Sequence, residues 1–185
     1  MSRSGYSDDC DDPLALGRWR GRVASALRGK RGQAMLRELA ASLDAMPDKR
    51  LIAHELKADG GFCTLGVLGA VRGIDLERLD PEDYDQVAAA FGIAPCMAQE
   101  IVFENDEAFD DWEFVEVPIF GPVRPYWPEY GRHFMTIRMP KKDAAAQRWK
   151  HMRAWVAKHL REEVSHDGNL LLREDGYPHN AGSAS

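Results

Sequence analysis

The sequence predicts an α+β fold, mainly α-helical: a helical core containing a helix-turn-helix-like pair, with an attached β-hairpin. Three observations predict it. Apolar residues recur at helical spacing in several separate stretches, the segment Phe62 to Val71 is apolar almost all round, and two strand-like runs flank a Pro/Gly-rich connector.

Taken in order, residues 1–12 are dominated by Ser, Gly and Asp and read as a disordered lead. Leu14, Leu16, Trp19, Val23, Ala26 and Leu27 then mark the buried face of a first helix that Gly29 is placed to end. Gly29 to Gln33 reads as a basic turn, followed by a helix carrying Met35, Leu36, Leu39, Leu43 and Met46 and stopped near Pro47. A short apolar run, Leu51 to Leu56, leads to the turn Asp59-Gly60-Gly61. Phe62 to Val71 is either a buried helix or a strand-to-helix passage, ended by Gly73.

Pro81 is expected to open the next helix, with Glu82, Asp83 and Asp85 in its first turn, where the macrodipole favours acids. Its inward stripe is Tyr84, Val87, Ala88 and Phe91. Gly92 breaks it, and Pro95 starts another with Met97, Ala98, Ile101 and Val102 inward. Strand-like periodicity covers Trp112 to Phe120 and His133 to Met139, which reads as a long-looped hairpin. A last helix follows Asp143 as N-cap, with Ala145, Trp149, Met152, Val156 and Leu160 on one face. The expected organisation is therefore one α+β domain over 13–164, a hairpin insertion within 108–143, and a flexible tail over 165–185.

Charge is sorted along the chain. Seven Lys/Arg and no acid lie between Pro13 and Arg37; twelve Asp/Glu and no base lie between Leu79 and Val123; eight bases face Asp143 alone between Arg138 and Arg161. Opposite potentials of this kind select partners and speed encounters more than they hold a fold together. At 185 residues, with 44% hydrophobic and 29% charged residues, the chain can bury a real core. No apolar run approaches membrane-spanning length, so no membrane association is expected. The polar opening lacks the apolar core of a secretory signal, and the three scattered cysteines favour thiols in a reducing cytosol.

For function, the spacing around Gly92 is the sharpest local pattern. Ala88 lies where the first helix must pass close to the second, and Ala98 and Ile101 where the second turns inward. A DNA-reading second helix must meet phosphates, yet this one offers Gln99, Glu100 and Glu104 and no Lys or Arg. The pattern thus reads first as two core helices with a tight turn, and otherwise as an acidic protein-binding face. Nucleic-acid contact would fall instead to Arg28, Lys30 and Arg31, whose plainer role is a solvated helix face. In the hairpin connector, Tyr126, Trp127 and Tyr130 stand among Pro122, Pro125 and Pro128, which restrict the backbone. They are candidate interface anchors if exposed, and core caps if folded back.

Cys63 is the one catalytic candidate, expected near a helix N-terminus, where a thiol is acidified; His54, His133 or His151 could serve as base. Its apolar flanks, Phe62 and Leu65, favour a buried structural thiol. The carboxylates of Glu104, Asp106, Glu107, Asp110 and Asp111 lack the glycine and alternation of a calcium loop, and His151 and His159 stand too far apart for a zinc helix. No metal and no cofactor are expected.

The strings Ser2 to Asp9, Arg28 to Gln33 and Leu43 to Ile52 resemble a group of uncharacterised bacteriophage and prophage proteins. So do the Gly-x-Cys-x-Leu-Gly element at Gly61 to Gly66, the Asn105-Asp106 pair and the helix from Arg148 to Trp155. The resemblance spans residues 2–107 and 147–160, and residues 108–143 depart from it. It implies a viral or prophage accessory protein in a bacterial cytoplasm, and it carries over no catalytic residue. The expectation from the chain as a whole is a non-catalytic protein-binding module acting on a host or phage protein. The alternatives are a nucleic-acid-binding regulator and a Cys63-dependent enzyme. Oligomeric state is left open.

Overall fold

The structure, a computed structural model, describes residues 13–119 and 134–161. Six helices are present there: α1 Pro13–Arg28, α2 Lys30–Ala45, α3 Thr64–Arg72, α4 Tyr84–Phe91, α5 Pro95–Asp106 and α6 Ala144–His159. Two antiparallel hairpins accompany them, β1 Lys57–Ala58 with β2 Gly61–Phe62, and β3 Trp112–Pro118 with β4 Phe134–Pro140. The α+β, mainly helical expectation holds. No single helix among the described residues is long and apolar enough to cross a membrane.

One core joins all six helices. Leu36, Leu39 and Leu43 of α2 meet Leu65 and Leu68 of α3, Ile101 of α5, and Met152 and Val156 of α6, all with essentially no solvent exposure. α5 lies at the centre, in contact with α1, α3, α4 and α6. That position explains why Met97, Ala98, Ile101, Val102 and Asn105 are all buried on so short a helix. At Gly66 the backbones come closest: a Cβ there would lie 1.8 Å from the Leu56 carbonyl oxygen, so only glycine lets α3 seat against the preceding loop.

Several expectations need correction. Leu14 is exposed rather than buried, because the core reaches only the C-terminal half of α1, at Val23 and Leu27. Gly29 to Gln33 is not a turn: Gly29 alone breaks the chain, and Lys30 and Arg31 already belong to the first turn of α2. α4 starts at Tyr84, not Pro81, because the Asp83 carboxylate accepts from the Gln86 N–H and so sets the cap three residues later. Asp59 and Gly60 both adopt positive φ, the turn geometry that closes a two-residue hairpin, so two short strands flank a turn expected without them. Asp143 does precede α6, but in left-handed conformation and without a side-chain cap; its carboxylate is 2.6 Å from Arg50 instead.

Candidate functional site

The pair α4–α5 has the helix-turn-helix geometry that its spacing implied. Gly92 takes a left-handed conformation at the end of α4, φ 68°. The Ile93 N–H then returns to the Ala88 carbonyl at 3.0 Å, and the helix axes meet at 104°. The second helix, however, is the central helix of the body. Gln99, Glu100 and Glu104 are each half-buried, and Glu104 is 3.0 Å from His151 Nε2 on α6. Helix α5 therefore serves as a packing element, flanked on several sides, rather than as a projecting helix free to enter a groove.

Arg28, Lys30 and Arg31 are all exposed where α1 meets α2. Arg28 Nε donates to the Ala24 carbonyl, and none of the three forms an ion pair among the described residues. Lys30 and Arg31 rim a cleft of about 330 Å³ against Ile93, Ala94 and Met97. Among the C-terminal bases, Arg148 is buried and Arg153 half-buried, whereas Arg138, Lys142, Lys150, Lys158 and Arg161 stay exposed. Arg153 pairs with Asp44 through two bonds of 2.7 and 2.9 Å, an arrangement that holds the Asp44 carboxyl below its ordinary range. Charge sorting in the sequence thus survives as an open surface at the N-terminal bases, and at the C-terminal ones Arg148 and Arg153 are spent on contacts within the body while most of the others face solvent.

Cys63 is the N-cap of α3, as expected for a thiol near a helix N-terminus. Its sulfur accepts from the Gly66 N–H at 3.4 Å and the residue is 2% exposed. A substrate has no path to that sulfur without opening the core. Of the named bases, His151 faces Glu104, His54 is exposed, and His133 lies outside the described residues. Tyr126, Trp127 and Tyr130 also lie outside them.

Sequence reasoning missed a buried polar junction beside Cys63. Asn105 Oδ1 accepts from both the N–H and the hydroxyl of Thr64, at 3.1 and 2.7 Å, while its amide donates to the Ile52 carbonyl at 3.0 Å. Arg148, 3% exposed, donates to the carbonyls of Asn105 and Leu51 at 2.9 and 3.0 Å and pairs with the Asp111 carboxylate. Buried charge is tolerated only when satisfied in this way. The junction joins Gly61 to Gly66, Asn105-Asp106 and the Arg148 helix, three strings that were linked in the sequence only by resemblance. In the sequence Arg148 is one of eight bases between Arg138 and Arg161, set apart only by its i+4 neighbour Met152 on the apolar face.

The hairpin β3–β4 differs from all of this. Its register runs from Trp112 opposite Pro140 to Pro118 opposite Phe134. The Lys141 N–H bonds to the Asp111 carbonyl, so the pairs 113/139, 115/137 and 117/135 carry the ladder, and the alternate residues point N–H and C=O outward. Pro118 and Pro140 both fall on outward positions, where a missing N–H costs the ladder nothing. One face holds Val115, Val117, Met135, Ile137 and Met139 with Glu113; the other holds Trp112, Phe114 and Phe134, with Arg138 over the Trp112 ring at 4.7 Å. Every residue of both strands is exposed or half-exposed; Phe114 is 70% and Met135 50% exposed. No family model matches the chain, and no curated protein or solved structure does either.

Proposed function

We propose that this chain is a non-catalytic protein-binding module of phage or prophage type, acting in a bacterial cytoplasm on a host or phage protein through the β3–β4 hairpin. What supports the reading is one observation: a two-stranded ribbon with apolar side chains on both faces that the helical body does not cover. An isolated hairpin is marginal in water, and large apolar side chains grouped in the open mark contact surfaces. The face of Val115, Val117, Met135, Ile137 and Met139 is the contact surface, with Met135 and Met139 exposed and the other three half-exposed.

The test is retention of proteins from bacterial lysate on immobilised full-length chain, at low and moderate salt, beside a Val117→Lys/Ile137→Lys double variant. Wild type retains a defined protein and the variant loses it at an unchanged melting temperature. No retained macromolecule at either salt, or equal retention by the variant, overturns the reading.

A second reading, nucleic-acid binding, is favoured by the exposed Arg28, Lys30 and Arg31 outside any described ion pair. It predicts a gel shift at about 50 mM salt that neutralising these three residues weakens. A flat titration removes it.

A further inference from the structure

We infer that the hairpin also joins two copies of this chain, edge to edge through β4, into one four-stranded antiparallel sheet. The inference goes beyond partner binding and does not depend on it. It rests on the inequality of the two open edges.

Along the outer edge of β3, the outward positions are Trp112, Phe114, Glu116 and Pro118. The Trp112 N–H is already taken by the Asp110 carboxylate at 3.0 Å, and Pro118 has none. Two N–H groups remain, beside the carboxylates of Glu113 and Glu116, while Asp110 and Asp111 are already engaged by Arg138 and Arg148. A second β3 laid there would bring two acidic rows together for few bonds.

The outer edge of β4 is different. Phe134, Thr136 and Arg138 each present an outward N–H and C=O, and the strand carries no acid. With a two-fold axis at Thr136, residue 134 of one copy pairs with 138 of the other, and 136 with 136. All three N–H groups of each copy are then bonded. The side chains agree with this register. Thr136 meets Thr136, a favourable cross-strand pair, and Met135 meets Ile137 on the apolar face. Phe134 lies opposite Arg138, whose guanidinium already stacks on Trp112 within its own chain. The two Arg138 residues stand four positions apart, about 14 Å at strand spacing, beyond the screening length of physiological salt.

Such pairing removes both β4 edges from solvent and joins the two apolar faces into one continuous surface, the arrangement in which a sheet becomes stable by itself. It is isologous, so it closes at two copies, and the acidic β3 edges left outside discourage further addition.

Sedimentation equilibrium of the full chain tests it. At roughly 100 µM, where even a micromolar dimer is filled, the wild type is expected at twice the chain mass. Thr136→Lys sets two ammonium groups against each other on the axis and is expected to raise the dissociation constant at least tenfold. The ladder to β3 stays intact, because residue 136 does not donate to it. Thr136→Val, which keeps the N–H, retains the dimer, as does Glu116→Lys on the far edge. A monomeric wild type at that concentration overturns the inference, and so does a dimer that Thr136→Lys leaves intact. Lysate retention by the monomeric Thr136→Lys chain separates the outcomes: a dimer without any captured protein sinks only the partner-binding reading.

Discussion

The helical body and the β3–β4 hairpin both carry many large apolar side chains, yet they treat that apolar surface in opposite ways. In the body, Leu36, Leu39, Leu43 and Met152 are wholly buried, and the polar groups that accompany them inward, Thr64, Asn105 and Arg148, are bonded on the spot. In the hairpin, Phe114, Phe134, Met135 and Met139 remain in solvent. Burial is the main source of folding stability, whereas uncovered apolar area is available to a second molecule. Stability therefore resides in one region, the proposed recognition falls to the other, and substitutions can separate the two.

The largest effect is expected where the body meets the root of the hairpin. Arg148→Met removes the guanidinium from two buried carbonyls and from Asp111, and should lower unfolding free energy by about 3 kcal/mol in urea titration. Retention of wild-type stability would show that the junction is dispensable. Gly66→Ala drives a methyl against the Leu56 carbonyl and should cost about 2 kcal/mol by the same measurement. Residue 66 also lies in the turn capped by Cys63, so the Cys63 thiol should label faster with a thiol-reactive probe in this variant.

On the hairpin side the contrast sharpens. Val117→Lys with Ile137→Lys should change unfolding free energy by less than about 0.5 kcal/mol, because neither side chain enters the core. A large loss of stability would mean that the hairpin supports the body after all.

The smallest effect is a pH dependence confined to the body. Burial holds the His159 imidazole below its ordinary range, Lys158 adds to the shift, and Glu104 opposes it. The unfolded chain therefore takes up the proton first. Stability is fully present above about pH 6.5 and declines as pH falls through the lowered folded value. His159→Gln should flatten that part of the stability profile and leave hairpin binding unchanged.

Helical periodicity made most of the body legible. Val87, Ala88, Phe91, Met97, Ala98, Ile101 and Val102 were named as inward and are buried or nearly so. Both strands of the long hairpin also fell close to their expected places, since apolar runs around Pro and Gly encode it locally. The candidate site was less legible. Glu100 and Glu104 read as an open acidic face because a helix sequence displays its polar side without saying which neighbour covers it. The burial of Arg148 was not legible because its partners, the carbonyls of Leu51 and Asn105, are backbone groups far away in the chain.

By itself, the sequence determined the local matters: the approximate extent of each helix, the presence of turns at Gly60 and Gly92, and which stripe of each helix is apolar. These depend on residues within a few positions of one another, so local sterics and periodicity decide them. Only the tertiary structure decided that α5 is central, that Asn105 and Arg148 share a buried junction, and that the hairpin stays uncovered. Those outcomes depend on which surfaces meet across the chain, and the free energy of burial depends on the neighbour as much as on the residue.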